Sequence, residues 1–488
     1  MQGALTLAAA SKASGALIPF YIPISILSLY MPVPRYFREA IETADRSTLD
    51  SIIDERIRYT VKYASEHSPF YRAWFREHEF DPASVRTHED FRSLPIISGK
   101  TIRANQPPVK EEFLFRSVDW KDVFTVHETS GTSGTPKAFF LTWEDWERYA
   151  EKYARSFVSQ GFGPGDRVVV CASYGMNVGA NTMTLAARAT GMTIIPEGTC
   201  NFPVRVITSF RPTGIVGSIF KLLSLARQLE AEGIRPAESG VKRLVAGGES
   251  FAPESREYVS EIWECPVHNT YGSTEGTICG ECKEHTGLHV PEDFVHMDIY
   301  DPALRSFVPD GECGRIVLST LIGPGDRCGT LLLNYDTEDT TVVLSREPCA
   351  CGRTHMRILN THREAETFRA GGAFLNRVDV ERGVFQRENM EYLTGEYEAS
   401  LNDSDVEGTT DLRVTLECLD PDRTDREGIQ DRFIRAFIGR NPFLKAAHDG
   451  GLLRFSLTFA CVGTLEHQQL KGRPKRLVDR RTGAGDKG

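Results

Sequence analysis

The sequence predicts an α/β protein: a large N-terminal body of parallel and mixed sheets with helices, followed by a small, mobile α+β lobe. Two features carry this expectation. Between Val109 and about Asn360, short β-branched runs bounded by Gly or Pro alternate with helical patterns, as in parallel strands joined by helical crossovers. Past Arg363 the texture changes to longer strand-like stretches around one helix. The 488 residues leave room for about three domains.

Taken in order, residues 1–34 form an apolar extension. Its core, LIPFYIPISILSLYMPVP (17–34), carries Pro19, Pro23, Pro32 and Pro34. It is too short and too broken for a spanning helix, which wants about 20 apolar residues. No small-residue cleavage site is evident after it. Two readings stand: a weak contact with a membrane surface, which is the lesser one, or an upstream segment before a true start at Met31.

Residues 35–362 form the body. A helical region runs to about Asn105, where STLDSIIDERIRYTVKYA (47–64) places apolar residues at helical spacing. Strands are expected at DRVVVCAS (166–173), TIIPEG (193–198), TGIVGS (213–218), RLVAGG (243–248), GRIVLSTL (314–321) and TLLLNYDT (330–337). Helices are expected at WEDWERYAEKYARSFVSQG (143–161), SIFKLLSLARQLEAEG (218–233) and PESREYVSEIW (253–263). In the lobe, 363–488, the strand-like DLRVTLECL (411–419) and LLRFSLTFACV (452–462) flank a helical REGIQDRFIRAFIG (426–439). That unit, of roughly 120 residues, is within ordinary domain size.

Composition narrows the function classes. With 40% hydrophobic and 25% charged residues, the chain is not a disordered, collagen-like or coiled-coil protein. Lys+Arg number 57 against 67 Asp+Glu, a net charge of -10, so no global basic surface exists to hold nucleic acid. The 11 cysteines are odd in number and not spaced as a disulfide scaffold. They point to a reducing cytoplasm, with some of them on a metal.

The strongest local signal is Thr129-Ser130-Gly131-Thr132-Ser133-Gly134-Thr135-Pro136-Lys137. Glycines let the backbone turn inward, hydroxyls donate hydrogen bonds and Lys137 adds charge, which together suit a polyphosphate. The spacing is not that of a Walker A loop.

A metal set stands further on. Cys282 and His289 lie in ECKEHTGLH (281–289), and Cys349 and Cys351 in PCACGRTH (348–355). Three thiolates and one imidazole make a closed tetrahedral site, the mark of structural zinc. Cys279 and His285 are rival ligands.

The Thr129–Lys137 string resembles the phosphate loop of the adenylate-forming enzymes: acyl-CoA synthetases, adenylation domains and luciferases. Further motifs follow in that family's order. Gly247-Gly248-Glu249-Ser250 matches its adenine contact, and Asn269-Thr270-Tyr271-Gly272-Ser273-Thr274-Glu275 its adenine and magnesium motif. Tyr335-Asp336-Thr337-Glu338-Asp339 matches the station whose aspartate binds the ribose hydroxyls, and Arg363 the arginine before the hinge. The resemblance implies ATP (or GTP) with Mg²⁺, and Lys137 and Glu275 as catalytic groups. It implies nucleotide contacts from Thr129 to Thr135, from Gly248 and Glu249, from Tyr271 to Thr274, and from Asp339 and Arg363. Chemistry agrees: Asp339 can accept from a diol, Glu275 offers Mg²⁺ a hard oxygen, and Arg363 has a planar donor fork. The Cys/His pattern, followed by GLHV and Glu292-Asp293, resembles the phenylacetate-CoA ligase branch, some members of which hold zinc with such residues.

The lobe departs from the family pattern. Aligning KGRPKRLVD (471–479) on Arg476 and Asp479 puts Arg473 where the family has its catalytic lysine, with Lys471 and Lys475 as substitutes. Arg473 and Lys475 are taken as catalytic candidates. The stretch EAETFRAGG (364–372) replaces the family's hinge signature, which puts the coenzyme A step in doubt. Residues 269–385 and 471–481 resemble the coenzyme F-390 synthetases of methanogenic archaea, which transfer AMP or GMP to the 8-hydroxyl of the deazaflavin coenzyme F-420. The leading expectation is therefore adenylyl transfer from ATP-Mg to that hydroxyl, with pyrophosphate release. The alternative is an aryl- or acyl-CoA synthetase that forms an acyl-adenylate and then a thioester. In either case Ala172–Asn177 is expected near the acceptor. The expected partners are a small-molecule acceptor, a deazaflavin or an aryl acid, and a second copy in a homodimer, with no nucleic acid.

Overall fold

The computed structural model describes residues 34–129, 135–198, 202–363, 366–465, 468–470 and 473–482. The body opens with α1 (Glu39–Glu42), α2 (Arg46–His67), α3 (Pro69–Glu77), α4 (His88–Phe91) and α5 (Gly99–Ala104). In α2, Asp45 caps the start by accepting from the Thr48 N–H, and Leu49, Ile53, Ile57, Val61 and Ala64 form its buried face.

Next come the hairpin β1 (Thr125–Glu128) and β2 (Ala138–Leu141), then α6 (Trp143–Ser159), β3 (Arg167–Val170), α7 (Val178–Thr190) and β4 (Thr193–Ile195). They are followed by α8 (Pro203–Phe210), β5 (Gly214–Gly217), α9 (Ile219–Ala231), β6 (Arg243–Gly247), α10 (Pro253–Trp263) and β7 (Val267–Gly272). Strands β4, β3, β5, β6 and β7 lie side by side in that order, all parallel. Their helical connections explain the alternation in the sequence. The order reverses at β3, and in open parallel sheets ligands bind outside the strand ends at such a reversal.

The sheet continues through β8 (Ile278–Glu281), β9 (Leu288–His289), β10 (Val295–Asp301), β11 (Ser306–Phe307), β12 (Cys313–Thr320), β13 (Tyr335–Ser345), β14 (Arg357–Ile358) and β15 (His362–Arg363). These pair antiparallel, which makes one mixed sheet of 13 strands. One expectation fails here: the strand of residues 330–337 begins only at Tyr335. Leu331, Leu332 and Leu333 are buried on all sides. Their polar backbone groups find separate partners: the Leu333 N–H donates to the Tyr71 hydroxyl, and the Leu332 carbonyl accepts from the Thr320 N–H. An apolar run satisfied in this way needs no ladder.

The lobe comprises β16 (Thr367–Ala370), β17 (Ala373–Asn376), α11 (Arg377–Val384), β18 (Leu393–Asp403), β19 (Thr410–Cys418), α12 (Arg426–Gly439), α13 (Pro442–Asp449), β20 (Leu453–Cys461), β21 (Gln468–Leu470), β22 (Arg473–Lys475) and β23 (Leu477–Asp479). Its main sheet has the order β20-β19-β18-β23. Body and lobe share one apolar core: Phe220, Leu223 and Trp263 belong to the same buried cluster as Val380, Phe385, Tyr397 and Phe433. Among the described residues no helix is long and apolar enough to cross a membrane.

The N-terminal residues are stapled to the cysteine loop. Arg35 and Tyr36 donate to the Cys351 carbonyl, and the Glu42 carboxylate meets Arg353 at 2.7 Å with both side chains buried. Its other oxygen accepts from the Phe37 and Arg38 N–H groups. Replacing Glu42 by Ala leaves a buried guanidinium unpaired, so Glu42→Ala is expected to lower stability by about 3–5 kcal/mol. A urea titration comparing midpoints at equal slope measures this, and an unchanged midpoint refutes it.

Candidate active site

Strands β1 and β2 bring the two ends of the Ser/Thr/Gly string together. The Thr129 N–H donates to the Lys137 carbonyl at 3.0 Å, and the Lys137 N–H to the Thr129 hydroxyl at 3.1 Å. Ser130, Gly131, Thr132, Ser133 and Gly134 lie outside the described residues. Thr135 is exposed.

Lys137, at the mouth of β2, reaches across to the central sheet. Its Nζ lies 2.7 Å from Glu275 Oε1 and 2.5 Å from the Tyr335 hydroxyl. Lys137 and Glu275 each keep only 12% of their side-chain surface exposed. Burial alone would raise the Glu275 carboxyl, but the Lys137 ammonium and its hydrogen bond carry it below its usual value. Glu275 therefore stays ionised at neutral pH.

Glu275 sits on a tight turn after β7. The Ser273 N–H donates to the Thr277 carbonyl, and Gly276 has φ +115°. Helix α6 grips this turn from behind. The Tyr149 hydroxyl donates to the Thr274 carbonyl at 2.9 Å, and the Lys152 ammonium to the Gly276 carbonyl. Burial, then the Arg148 charge, depresses Lys152 to about 7. Sequence reasoning missed Tyr149 and Lys152; the available signal was a lysine on the buried side of an amphipathic helix.

Tyr335 and Asp339 project from β13 four residues apart. Asp339 Oδ2 accepts from the Tyr271 hydroxyl at 2.7 Å, and Arg363 Nε lies 3.5 Å from Oδ1. Arg363 is brought there because β15 pairs with β13, opposite Asp339. At the end of β6, Gly247 is needed for contact: a Cβ there would meet Thr270 Cγ2 at 2.5 Å and the Thr270 carbonyl at 2.9 Å. Gly248 follows at φ +80°. Glu249 is paired with Arg377 of the lobe at 2.9 Å.

Lys137, Glu275 and Tyr335 thus form one hydrogen-bonded group and Tyr271, Asp339 and Arg363 a second, the two carried four residues apart on β13, with Gly272, Ser273 and Thr274 on the turn before Glu275. Arg473 lies in β22, where the structure describes the backbone alone, and Lys471 is outside the described residues. Lys475 closes β22, half-exposed; among the described residues no hydrogen bond or ion pair joins it to either group. Ala172–Asn177 leaves the end of β3 and abuts β1: the Met176 carbonyl lies 3.1 Å from His127 Nδ1 and accepts from the Glu128 N–H.

Beyond β8, Cys282, His289, Cys349 and Cys351 converge with their ligand atoms all within 4.8 Å of one another, every residue buried. Cys282 and Cys349 sulfurs are 3.8 Å apart, and Cys351 Sγ lies 3.6 Å from His289 Nε2. A zinc tetrahedron with bonds of about 2.3 Å to sulfur and about 2.0 Å to nitrogen has edges of about 3.8 and 3.5 Å. Hydrogen bonding from Cys282, then from the His289 ring, draws the Cys351 thiol far below its ordinary range against its burial. The rivals lie elsewhere. Cys279 Sγ lies against the Thr277 hydroxyl. His285 forms a second cluster with His268 and Glu281, and the Arg256 guanidinium already holds the Glu281 carboxylate at 2.9 and 3.0 Å.

Burial pushes the Asp339 carboxyl up to about 6, against the lowering effect of Arg363 and the Tyr271 hydroxyl. Protonation costs it an acceptor site, so a ribose diol accepted there, as the family resemblance implies, would be held more tightly above that pH than below it. Nucleotide KM is expected to fall as pH rises through about 6, and Asp339→Asn is expected to flatten that dependence. A pH profile of KM that is identical in the two proteins rules it out.

Residues 40–322, more than half of the chain, match the AMP-binding enzyme family. The phenylacetate-coenzyme A ligase of Thermus thermophilus is 31% identical over 328 residues, 66% of this chain and 72% of that protein. The phenylacetate-coenzyme A ligase of Aromatoleum evansii is 26% identical over 457 residues, 91% of this chain and 97% of that protein. A crystal structure of 2-hydroxyisobutyryl-CoA ligase, in the postadenylation state with R3-HIB-AMP, shares the fold with a TM-score of 0.76 at 21% identity over 94% of both chains. The chain belongs to the AMP-binding enzyme family: it is an adenylate-forming ligase of the phenylacetate-CoA ligase branch.

Proposed function

We propose that this ligase activates a small organic acid, an aryl acid above all, and transfers its acyl group to coenzyme A. The observation that carries the reading is the pair of neighbouring groups on β13, Lys137 with Glu275 and Tyr335, and Asp339 with Arg363, set beside relatives named for CoA thioester formation. Those names support thioester formation better than adenylyl transfer to a deazaflavin hydroxyl, so the alternative reading of the sequence becomes the leading one.

In the first step a carboxylate oxygen of the acid attacks the α-phosphorus of ATP in line. The bond from that phosphorus to the bridging oxygen breaks, and pyrophosphate leaves. No protein nucleophile takes part; the chain positions charge. The Thr129–Thr135 string and Lys137 hold the phosphates. Glu275 and the phosphate oxygens would hold Mg²⁺, which would supply charge neutralisation for the leaving group. Asp339 accepts from the ribose hydroxyls and Arg363 donates beside it. Gly248 and Glu249, with Tyr271, Gly272, Ser273 and Thr274, border the base. Arg473 or Lys475 of the lobe supplies a cation to the α-phosphate. In the second step the sulfur of coenzyme A attacks the acyl carbon, AMP departs, and the thiol proton passes to solvent. Ala172–Asn177, at the strand-order reversal, borders the acceptor.

Cys282, His289, Cys349 and Cys351 hold structural zinc in this reading, supported by tetrahedral edge lengths and a coordination set with no open position. Metal analysis is expected to give one zinc per chain, and Cys351→Ser to lose it together with thermal stability. Zinc-free protein of undiminished stability refutes the site.

The functional test incubates the protein with ATP, Mg²⁺ and coenzyme A against a panel of aryl and short acyl acids, and separately with coenzyme F-420. Acid-dependent pyrophosphate release with a matching thioester is expected. A shifted deazaflavin absorbance without any thioester overturns the reading in favour of adenylyl transfer to the hydroxyl. Lys137→Met is expected to slow adenylate formation by about 10²- to 10³-fold, the cost of losing one preorganised charge-stabilising group.

A further inference from the structure

The lobe touches the nucleotide motif directly. Arg377, the first residue of α11, places Nη1 2.9 Å from Glu249 Oε2, and its Nη2 donates to the Ser250 carbonyl. One lobe side chain therefore holds both the carboxylate and the backbone of the Gly247–Ser250 turn. The contact is desolvated: Arg377 and Glu249 keep 10% and 16% of their side-chain surface. Four residues on, Glu381 is fully buried and reaches the same region from the other direction. Its Oε2 accepts from the Ala252 N–H at 2.9 Å and, at 3.4 Å, from the Ser255 hydroxyl in the first turn of α10. Glu381 also lies 3.3 Å from Arg377, so the two side chains form one unit on a single helix face.

The cation side is completed from the end of the lobe. Arg476 is buried, pairs with Glu396 at 2.7 Å and stacks its guanidinium 3.5 Å from the centre of the Phe220 ring on α9. Arg377 lies over the same ring at 5.5 Å. Phe220 is thus a shared apolar floor for two lobe arginines.

We infer that Arg377 is a positioning residue of the ligase: its pair with Glu249 latches the lobe onto the Gly247–Ser250 turn and so sets its register for adenylate formation. The reason is electrostatic. The turn is tied to the nucleotide motifs, since Gly247 packs on Thr270 and the Ser250 hydroxyl donates to the Thr361 carbonyl at 2.5 Å, two residues before Arg363. A lobe held at this turn is held in register with the nucleotide. A desolvated ion pair fixes that register; an apolar contact alone would carry none. Arg377 acts through Glu249 and touches no reacting atom.

This inference rests on the two-step reading, and the experiment separates the two. Arg377→Met keeps the stem over Phe220 and removes the charge; Arg377→Lys keeps the charge. Two measurements are made on the full chain. In single-turnover assays, Arg377→Met is expected to slow pyrophosphate release about tenfold or more, while thioester formation from presynthesised acyl-adenylate is unchanged or faster, and Arg377→Lys recovers part of the loss. In amide hydrogen exchange, residues 250–256 and 377–385 are expected to exchange faster in Arg377→Met, with β5 and β6 unchanged. Equal slowing of both half-reactions, or exchange identical to the parent, overturns the latch. If the parent itself forms no thioester, the two-step reading fails, and the exchange comparison alone still decides whether Arg377 holds the lobe.

Discussion

The buried contact between Lys137 and Glu275 is the constraint around which the body is arranged. The two residues stand 138 positions apart and meet at 2.7 Å with little solvent left to screen them. Desolvating a cation and a carboxylate is costly unless both are well partnered. The surrounding elements supply those partners. Tyr335 places a hydroxyl against the ammonium, β2 fixes the lysine backbone, and α6 clamps the turn that carries the carboxylate. In the proposed reaction, a site kept dry in this way would make each charge act strongly on a polyphosphate and remove the need to reorganise water.

The same physical problem recurs at the edges of the molecule. Glu42 with Arg353, Arg155 with Asp293 and Arg377 with Glu249 are all ion pairs with little exposed surface. Each joins segments remote in sequence, and each would be destabilising with one partner removed. Their common property is direction: a paired charge fixes which surfaces meet, whereas the apolar core shared by body and lobe fixes only that they meet. The first pair anchors the N-terminal residues to the cysteine loop, the second ties α6 to the segment before β10, and the third ties the lobe to the nucleotide turn. The cysteine cluster adds a fourth tie, joining β8 and β9 to the loop before β14.

Much of this was readable from residues alone, for identifiable reasons. The alternation of β-branched runs and amphipathic helices is local, so β3, β5, β6, α6, α9 and α10 stand where the sequence places them. The Cys/His spacing and the Tyr-Gly-Ser-Thr-Glu and Tyr-x-Thr-x-Asp strings are likewise short and chemically explicit. Leu331–Leu333 misled because an apolar run has the same texture in a strand and in an irregular core segment. The resemblance of residues 269–385 and 471–481, with the departures in the lobe, points to a deazaflavin acceptor, while similarity across the chain favours the relatives named for CoA ligation.

The sequence by itself determined the fold class and the order of its short motifs, and it named the four Cys and His residues that the fold gathers, because each is written in short stretches of explicit chemistry. Only the tertiary structure decided that Glu275 faces Lys137, that Tyr149 and Lys152 hold its turn, and that Arg377 grips Glu249. Such pairings depend on which faces are packed together after the chain has crossed the sheet several times. A charged side chain carries no local mark of the partner that burial will give it.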